Sequence, residues 1–277
     1  MPIHADFLDR GLVLAGCGNM GGAMLAGWLA AGTDPAAITI VDPAPVRPPA
    51  GLPPGLPVHA TVPAGCGPAG ILILAVKPQK LAEAAPAFAP LVDEGTLVLS
   101  VLAAVEFASL RRHFPRARAI VRAVPNLPAA IGAGITGLVA DRPDPLVAET
   151  AAALCDALGP VEWLATEGLC DAVTALSGSG PAFLFRVIDA MIAAGADLGL
   201  EPEQARRFGV ETLLGAGRLL AASGESPADL AARVSSPGGT TLAGLAVLDR
   251  DGALSDLMAR TLAAAHARSR AMAVEFG

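Results

Sequence analysis

The chain has 277 residues, of which 53% are hydrophobic and only 16% charged, and its formal net charge is −7. A composition this apolar excludes an intrinsically disordered chain, and the length suffices for one large domain or two smaller ones. Nucleic-acid binding requires clustered Lys and Arg side chains, so the acidic balance argues against a nucleic-acid partner.

The first half of the chain alternates short apolar runs with helical stretches. Continuous apolar runs are typical of buried parallel strands, and they predict strands at residues 11–15, 38–41, 71–76, 96–102, 118–124 and 137–139. Helices are predicted between them at residues 22–31, 79–91 and 106–114, and the Pro-rich residues 43–57 are predicted as a loop. Strands that alternate with helices indicate an α/β fold with a parallel sheet covered on both faces.

The strand pattern ends near Glu167, and the remaining chain is predicted to be helical. Helices are predicted at residues 171–176, 181–198, 202–222, 240–249 and 253–274, with a short one after residue 227 and a break at 177–181. Helix 181–198 is apolar around most of its circumference, and such a helix must be buried on every side. Because little of the chain remains to surround it, we expect a second subunit to cover it. We therefore predict an α/β domain of residues 1–165 and an all-α domain of residues 166–277.

The first apolar run is followed at once by a glycine-rich motif. Its residues match the pattern G-x-G-x-x-G and are Gly16, Cys17, Gly18, Asn19, Met20 and Gly21. Gly16 would permit the tight turn, Gly18 the close approach of a pyrophosphate, and Gly21 tight packing of helix on strand. The free N–H groups of the following helix would bind the diphosphate. The motif predicts a Rossmann-type dinucleotide site; the alternative is a tight turn that binds no ligand.

Two further segments lie where a bound dinucleotide would pass. Asp42 ends the second strand, where an acidic residue usually accepts from the ribose 2′-hydroxyl and favours NAD(H), whereas Arg47 could hold the 2′-phosphate of NADP(H). The second segment ends the third apolar run and consists of Ala75, Val76, Lys77 and Pro78. Ligands lie beyond the carboxyl ends of such strands. The alternatives are a plain loop residue for Asp42 and a solvated surface lysine for Lys77.

The helical half contains a second glycine-rich loop, Val234-Ser-Ser-Pro-Gly-Gly-Thr-Thr241. Its two glycines leave backbone N–H groups accessible, and Thr240 and Thr241 are predicted to cap and begin a helix. N–H groups that converge beside a hydroxyl are suited to a carboxylate ligand. The alternative is a capped turn between two helices.

Taken together, these segments resemble the pyrroline-5-carboxylate reductase family. The resemblance runs nearly end to end, and it is carried by both glycine-rich loops, by 75–78, by Val124-Pro-Asn-Leu-Pro128 and by Leu176-Ser-Gly-Ser-Gly-Pro-Ala182. The family makes proline by reducing a ring imine with NAD(P)H. The resemblance implies a Rossmann domain followed by an all-α dimerisation domain, in a homodimer that often forms a decamer of five dimers.

The resemblance also assigns site residues. It places the substrate carboxylate on Ser236, Gly238, Gly239 and Thr240, and it places Asn126 near the nicotinamide. The Thr241 hydroxyl would bond the ring nitrogen, with the nicotinamide supplied by the neighbouring subunit. The chain departs from the family at Val124, which replaces a Met, at residues 104–106, which stand where the family has Ala-Gly and an apolar residue, and at Asp42.

The helical half lacks the side chains that usually donate a proton in reductases, and the reduction of a cyclic imine does not need one. That half has no Lys, the chain has no Tyr, and His266 is the only histidine after residue 165. A ketone reductase needs a proton donor there, whereas a cyclic imine is basic enough to arrive protonated. A 3-hydroxyacid dehydrogenase of the 6-phosphogluconate type, which relies on a lysine in its helical half, fits less well. The other alternative is a dinucleotide-sensing module that binds a protein partner through helix 181–198.

Compartment and metal binding follow from simpler counts. The four His and four Cys have neither metal-ligand spacing nor a CxxC pair, so we expect no metal and no disulfide framework. Residues 11–33 are uncharged and long enough for a membrane span, but they hold the glycine motif and no basic segment precedes them. We expect a cytoplasmic protein without a membrane partner.

Overall fold

The computed structural model describes residues 3–43 and 56–276, and in that part of the chain the apolar runs form the predicted strands. In chain order the strands are β1 Leu12–Ala15, β2 Ile38–Val41, β3 Val58–His59, β4 Ile71–Leu74, β5 Leu97–Ser100, β6 Ala119–Val124, β7 Thr136–Ala140 and β8 Val161–Trp163. They form one sheet in the order β3-β2-β1-β4-β5-β6-β7-β8. β3 and β8 were not predicted; they are short, and each lies at an edge of the sheet.

Six neighbouring strands are parallel, as the alternating pattern predicts. β7 is the exception, because it pairs antiparallel to β6, with Val121 opposite Ala140 and Val124 opposite Gly137. The predicted parallel sheet therefore contains one antiparallel strand pair among the described strands. The chain between β6 and β7 is too short for a crossover helix that would return it parallel.

Helices cover both faces of the sheet. In chain order they are α1 Ala5–Leu8, α2 Asn19–Ala30, α3 Leu81–Phe88, α4 Phe107–His113 and α5 Pro145–Asp156. On one face α2 and α5 pack on Leu14, Ile40 and Ile73. On the other face α3 and α4 pack on Val13 and Leu72. The strand side chains alternate between these two cores, which gives each face its own apolar layer.

The helical part of the chain, all of it described as far as residue 276, contains six α-helices. Its helices are α6 Leu169–Val173, α7 Gly180–Asp197, α8 Pro202–Ser223, α9 Pro227–Arg233, α10 Thr240–Leu248 and α11 Ala253–Phe276. The predicted break at 177–181 is absent, because α6 continues through a π-helical turn at Thr174–Gly178 into α7. The N–H of Ser179 donates to the carbonyl of Thr174 at 2.8 Å, which is the five-residue bond of a π-helix.

The chain forms two compact units. One consists of residues 1–179 and 265–277, and the other is Gly180–Ala264. The second unit has almost no interior, since Pro181 and Ala205 are its only buried residues. Its large apolar side chains are exposed, and they include Leu184, Phe185, Met191, Phe208 and Val247. The boundary at residue 166 remains a prediction.

Candidate active site

The glycine-rich turn after β1 leaves no room for side chains at two of its glycines. Gly16 has a φ of +93°, and a Cβ there would lie 2.7 Å from the carbonyl oxygen of Ala75. A Cβ on Gly21 would lie 2.2 Å from the carbonyl oxygen of Gly16. At Gly18, by contrast, nothing lies within 4 Å of such an atom, so this side of the loop is open. The loop therefore offers an open face to a ligand that approaches the backbone, as a pyrophosphate does.

The same turn begins α2 without a side-chain cap. Gly18 is the N-cap residue, and since glycine has no side chain it cannot cap the first N–H groups of the helix. The N–H groups of Asn19, Met20 and Gly21 donate to no described residue. Free N–H groups at the positive end of a 12-residue helix are suited to an anion, and a dinucleotide pyrophosphate fits this loop.

Asp42 contacts the glycine loop directly. Its Oδ2 accepts from the backbone N–H of Cys17 at 2.8 Å, which ties the end of β2 to the turn after β1. Burial, with a smaller contribution from Asp42, raises the pKa of the Cys17 thiol, which favours its neutral form. Arg47 lies outside the described residues.

The segment after β4 adjoins the same turn. Ala75 donates its N–H to the carbonyl of Ala15 at 2.8 Å, and its own carbonyl faces Gly16. Val76 and Pro78 are partly exposed, whereas Lys77 is exposed. Lys80 is paired with Glu83 at 2.7 Å. Of the two lysines, Lys77 is thus the one beside the proposed cofactor site.

β6 leads into Asn126 at the carboxyl ends of the parallel strands, the same end of the sheet as the glycine loop after β1. Asn126 is the N-cap of a short 3-10 helix, Leu127–Ile131, which packs against α2. Its Oδ1 accepts from the N–H of Ile135 at 3.1 Å, and its Nδ2 donates to Oγ of Ser177 at 3.2 Å. Both ends of the Asn126 amide are therefore used inside the protein. Ser177 was not identified from the sequence, because its partner is 51 residues away and no local pattern marks the pair.

The second glycine-rich loop lies in the unit Gly180–Ala264. Gly238 has a φ of +70°, and the N–H of Gly239 donates to the carbonyl of Ser236 at 2.9 Å. Gly239, not Thr240, is the N-cap of α10, and it makes no side-chain cap. The expectation that a threonine caps this helix is therefore wrong, because the turn closed by Gly239 already places Thr240 inside the helix.

The missing cap leaves this loop with the groups a carboxylate needs. The N–H groups of Thr240, Thr241 and Leu242 donate to no described residue. Ser236 and Thr241 are exposed, and their hydroxyls make no hydrogen bond to a described residue. Three free N–H groups and a nearby hydroxyl can hold an anion and one further polar atom.

The described residues hold no group of His, Cys, Asp and Glu that could bind a metal. A glycine loop suited to a dinucleotide, together with a helical unit that has almost no core of its own, is typical of a self-associating dinucleotide-binding protein. Two family models match the chain: "NADP oxidoreductase coenzyme F420-dependent" over residues 12–104 and "Pyrroline-5-carboxylate reductase dimerisation" over residues 167–272.

Whole-chain comparisons agree with the second model. Pyrroline-5-carboxylate reductase of Pseudomonas aeruginosa is 35% identical over 268 residues, which cover 96% of this chain and 98% of that protein. That of Synechocystis is 40% identical over 203 residues, 72% of this chain and 74% of that protein. The structure of the Coxiella burnetii enzyme has a TM-score of 0.85 and 32% identity, with 94% of this chain and 97% of that chain covered. The chain belongs to the pyrroline-5-carboxylate reductase family.

Proposed function

We propose that this protein reduces 1-pyrroline-5-carboxylate to L-proline with hydride from NADPH or NADH, the last step of proline biosynthesis. Family membership supports the reaction, and the glycine loop at Gly16–Gly21 supports the cofactor. A protein of the same fold, pyrroline carboxylate reductase of Plasmodium falciparum, was solved with NADP bound; it is 22% identical, with a TM-score of 0.79, over 95% of this chain and 98% of that chain.

The observation that carries the proposal is the uncapped start of α10. The substrate is a small ring with one carboxylate and one imine nitrogen, and the loop offers matching partners for both. The N–H groups of Gly238 and of Thr240–Leu242, with the Ser236 hydroxyl, would hold the carboxylate, and Gly239 would shape the turn through its hydrogen bond to Ser236. The Thr241 hydroxyl oxygen would accept from the protonated ring nitrogen.

The residues of this chain need only position the substrate. The protonated imine already carries the proton that the product amine keeps, so no acid from the protein is required. When bound, the reduced nicotinamide supplies the hydride that C5 of the ring receives. Holding the ring at both ends fixes which face of C5 is presented, and such orientation supplies much of the rate.

The helical unit supports self-association. A unit in which only Pro181 and Ala205 are buried cannot be stable with Leu184, Phe185 and Met191 in water. We take the assembly to be a homodimer that can build up to a decamer, and the nicotinamide to reach the substrate loop from the neighbouring subunit. Light scattering of the purified protein measures the number of subunits.

One helix in the described ranges, Leu169–Asp197, is long and apolar enough to cross a membrane. The match of a dimerisation model to residues 167–272 supports a partner subunit as the cover of this helix instead. We place the protein in the cytoplasm, without a nucleic-acid or membrane partner. Fractionation of cells that produce it tests this placement.

The role of Thr241 is tested by comparing Thr241→Ala with Thr241→Ser. A hydrogen bond to a charged group contributes about 1.5–3 kcal/mol, so we expect Thr241→Ala to lower kcat/KM by about 10- to 100-fold. Thr241→Ser keeps the hydroxyl and should retain most of the activity. Cofactor affinity and thermal unfolding, measured alongside, should not change. Wild-type kinetics in Thr241→Ala would remove this residue from the mechanism.

A further inference from the structure

The Ser177 side chain is hydrogen-bonded to a residue outside its own helix. Ser and Thr in helices commonly donate to the carbonyl four residues earlier. Thr174 donates in this way to Cys170 at 2.8 Å and Thr261 to Leu257 at 2.8 Å. Ser177 makes no such bond to a described residue; its Oγ instead accepts from Asn126.

The hydroxyl proton of Ser177 is therefore left for another acceptor. A hydroxyl carries one donor and two acceptor lone pairs, and the Asn126 amide uses one lone pair. The orientation of that amide is fixed, because Ile135 donates to its oxygen at 3.1 Å. Asn126 therefore presents an N–H to Ser177, and the Ser177 hydrogen must point elsewhere. Ser177 is partly exposed, so a ligand can reach it.

The position of Ser177 identifies which part of a dinucleotide lies near it. Asp42 and the glycine loop, at the ends of β2 and β1, are where the adenine ribose and the pyrophosphate bind in such folds. The sheet order then runs through β4 and β5 to β6, whose carboxyl end leads into Asn126. The nicotinamide half must extend towards this side. Its carboxamide oxygen is a hydrogen-bond acceptor.

We propose that the Ser177 hydroxyl, held by Asn126, donates to the carboxamide oxygen of the nicotinamide. Ser177 is then a cofactor-binding residue, and Asn126 is a positioning residue that acts through it. The π-helical turn contributes by carrying Ser177 out of the usual α-helical register, and such turns are frequent at functional sites. The inference depends on the proposed function only in that the ligand is a nicotinamide dinucleotide.

The test measures binding in the full-length protein without substrate. Affinities of wild type and Ser177→Ala are compared for the reduced cofactor and for the fragment that lacks nicotinamide, ADP-ribose or its 2′-phosphate. We expect Ser177→Ala to weaken binding of the intact cofactor by about tenfold and to leave the fragment unaffected. A similar loss for both ligands, or no loss for either, would overturn the proposal.

A modified cofactor identifies the acceptor atom. Thionicotinamide dinucleotides carry sulfur, a weak acceptor, in place of the carboxamide oxygen. Wild type should bind the natural cofactor more tightly than the thio analogue, and Ser177→Ala should lose that preference. A preference that is equal in both proteins would show that the Ser177 hydroxyl does not contact this oxygen.

Two more variants separate positioning from a general disturbance of the turn. In Asn126→Asp the carboxylate still accepts from Ile135 but draws the Ser177 proton towards itself, so cofactor affinity should fall as in Ser177→Ala. The double variant Asn126→Asp/Ser177→Ala should lose little more cofactor affinity than either single variant. Thr174→Val removes a hydroxyl from the same turn and should bind normally. A loss in Thr174→Val equal to that in Ser177→Ala, or additive losses in the double variant, would contradict the assignment.

Discussion

Asp42 combines two effects, because its carboxylate is both a negative charge beside the cofactor site and a structural partner of the glycine loop. The sequence places it where the ribose 2′-hydroxyl is usually recognised. The structure adds the bond from the Cys17 N–H to its Oδ2. A substitution that removes only the charge must therefore be compared with one that also removes the bond.

We expect Asp42→Asn to raise the ratio of kcat/KM for NADPH to that for NADH by about tenfold, because the carboxylate repels a 2′-phosphate. The asparagine oxygen can still accept from Cys17, so overall affinity should be kept. Asp42→Ser should shift the ratio in the same direction and also weaken both cofactors, since the shorter side chain cannot reach Cys17. Steady-state kinetics with both cofactors measure the two effects. An unchanged ratio in both variants would mean that Arg47 or the backbone discriminates.

Ala104 holds a backbone conformation that favours glycine. Its φ is +60°. This left-handed conformation costs a non-glycine residue about 1–2 kcal/mol. The buried Ala104 retains it because the turn that follows β5 requires it.

Among the secondary-structure elements, the strands with continuous apolar runs were predicted most accurately. β1, β2, β4, β5 and β6 are continuous apolar runs in the centre of the sheet, and their predicted bounds agree within two residues. The sequence could not show that β7 runs antiparallel, because the direction of a strand depends on its connection and not on its own side chains. Nor could it show the π-helical turn, since Gly178 and Pro181 are normally helix breakers, yet the helix runs through both.

Helix α5 was not predicted, although the sequence at its start carries a helix-start signal. Asp144 and Pro145 are a typical N-cap and first helical residue. The Asp144 carboxylate accepts from the N–H groups of Leu146 and Val147 at 3.0 and 3.3 Å and from Arg118 at 2.7 Å. These bonds hold the pKa of Asp144 below its usual range, and the bond from Arg118 contributes most to this lowering.

We expect Asp144→Ala to lower the free energy of unfolding by about 1 kcal/mol at pH 7, the usual value of a lost cap. Since the folded state lowers the pKa of this carboxyl, its contribution is complete above the unfolded pKa of about 4 and is lost as the pH falls through the folded value. The difference from wild type should therefore shrink at low pH. Urea unfolding at one protein concentration, at pH 7 and pH 3, measures it.

Asp144→Asn is the matched control, because asparagine is also a good N-cap but cannot form the ion pair with Arg118. It should keep the contribution of the cap at pH 7 and lose only the part that comes from the charge, so its free energy of unfolding should lie between those of wild type and Asp144→Ala. A loss in Asp144→Asn as large as that in Asp144→Ala would assign the effect to the ion pair and not to the cap.

For the whole molecule, the helical unit with exposed apolar side chains is the feature that indicates self-association. The prediction that helix 181–198 needs a partner came from its apolar circumference alone, and the structure leaves Leu184 and Phe185 54% exposed in the single chain. The sequence thus predicted self-association from composition and periodicity. It could not predict the Asn126–Ser177 contact, which exists only once the sheet and the helices are folded together.

We expect Phe185→Glu to weaken the dimer by at least tenfold, because a charge placed in an apolar interface loses its hydration without gaining a partner. Sedimentation equilibrium over a range of protein concentrations measures the dissociation constant. Ala87→Glu adds the same charge at an exposed position of α3 and should leave the constant unchanged. If Phe185→Glu dimerises as tightly as wild type, α7 does not form the interface.

The most direct test of the account is the rate of NADPH or NADH oxidation on addition of 1-pyrroline-5-carboxylate, with L-proline quantified as the product. We expect one L-proline for each reduced cofactor consumed, with the rate of wild type well above that of Thr241→Ala at the same protein concentration. A folded, dimeric protein that binds either cofactor and yet consumes neither would contradict it, and would favour a dinucleotide-sensing protein over an enzyme.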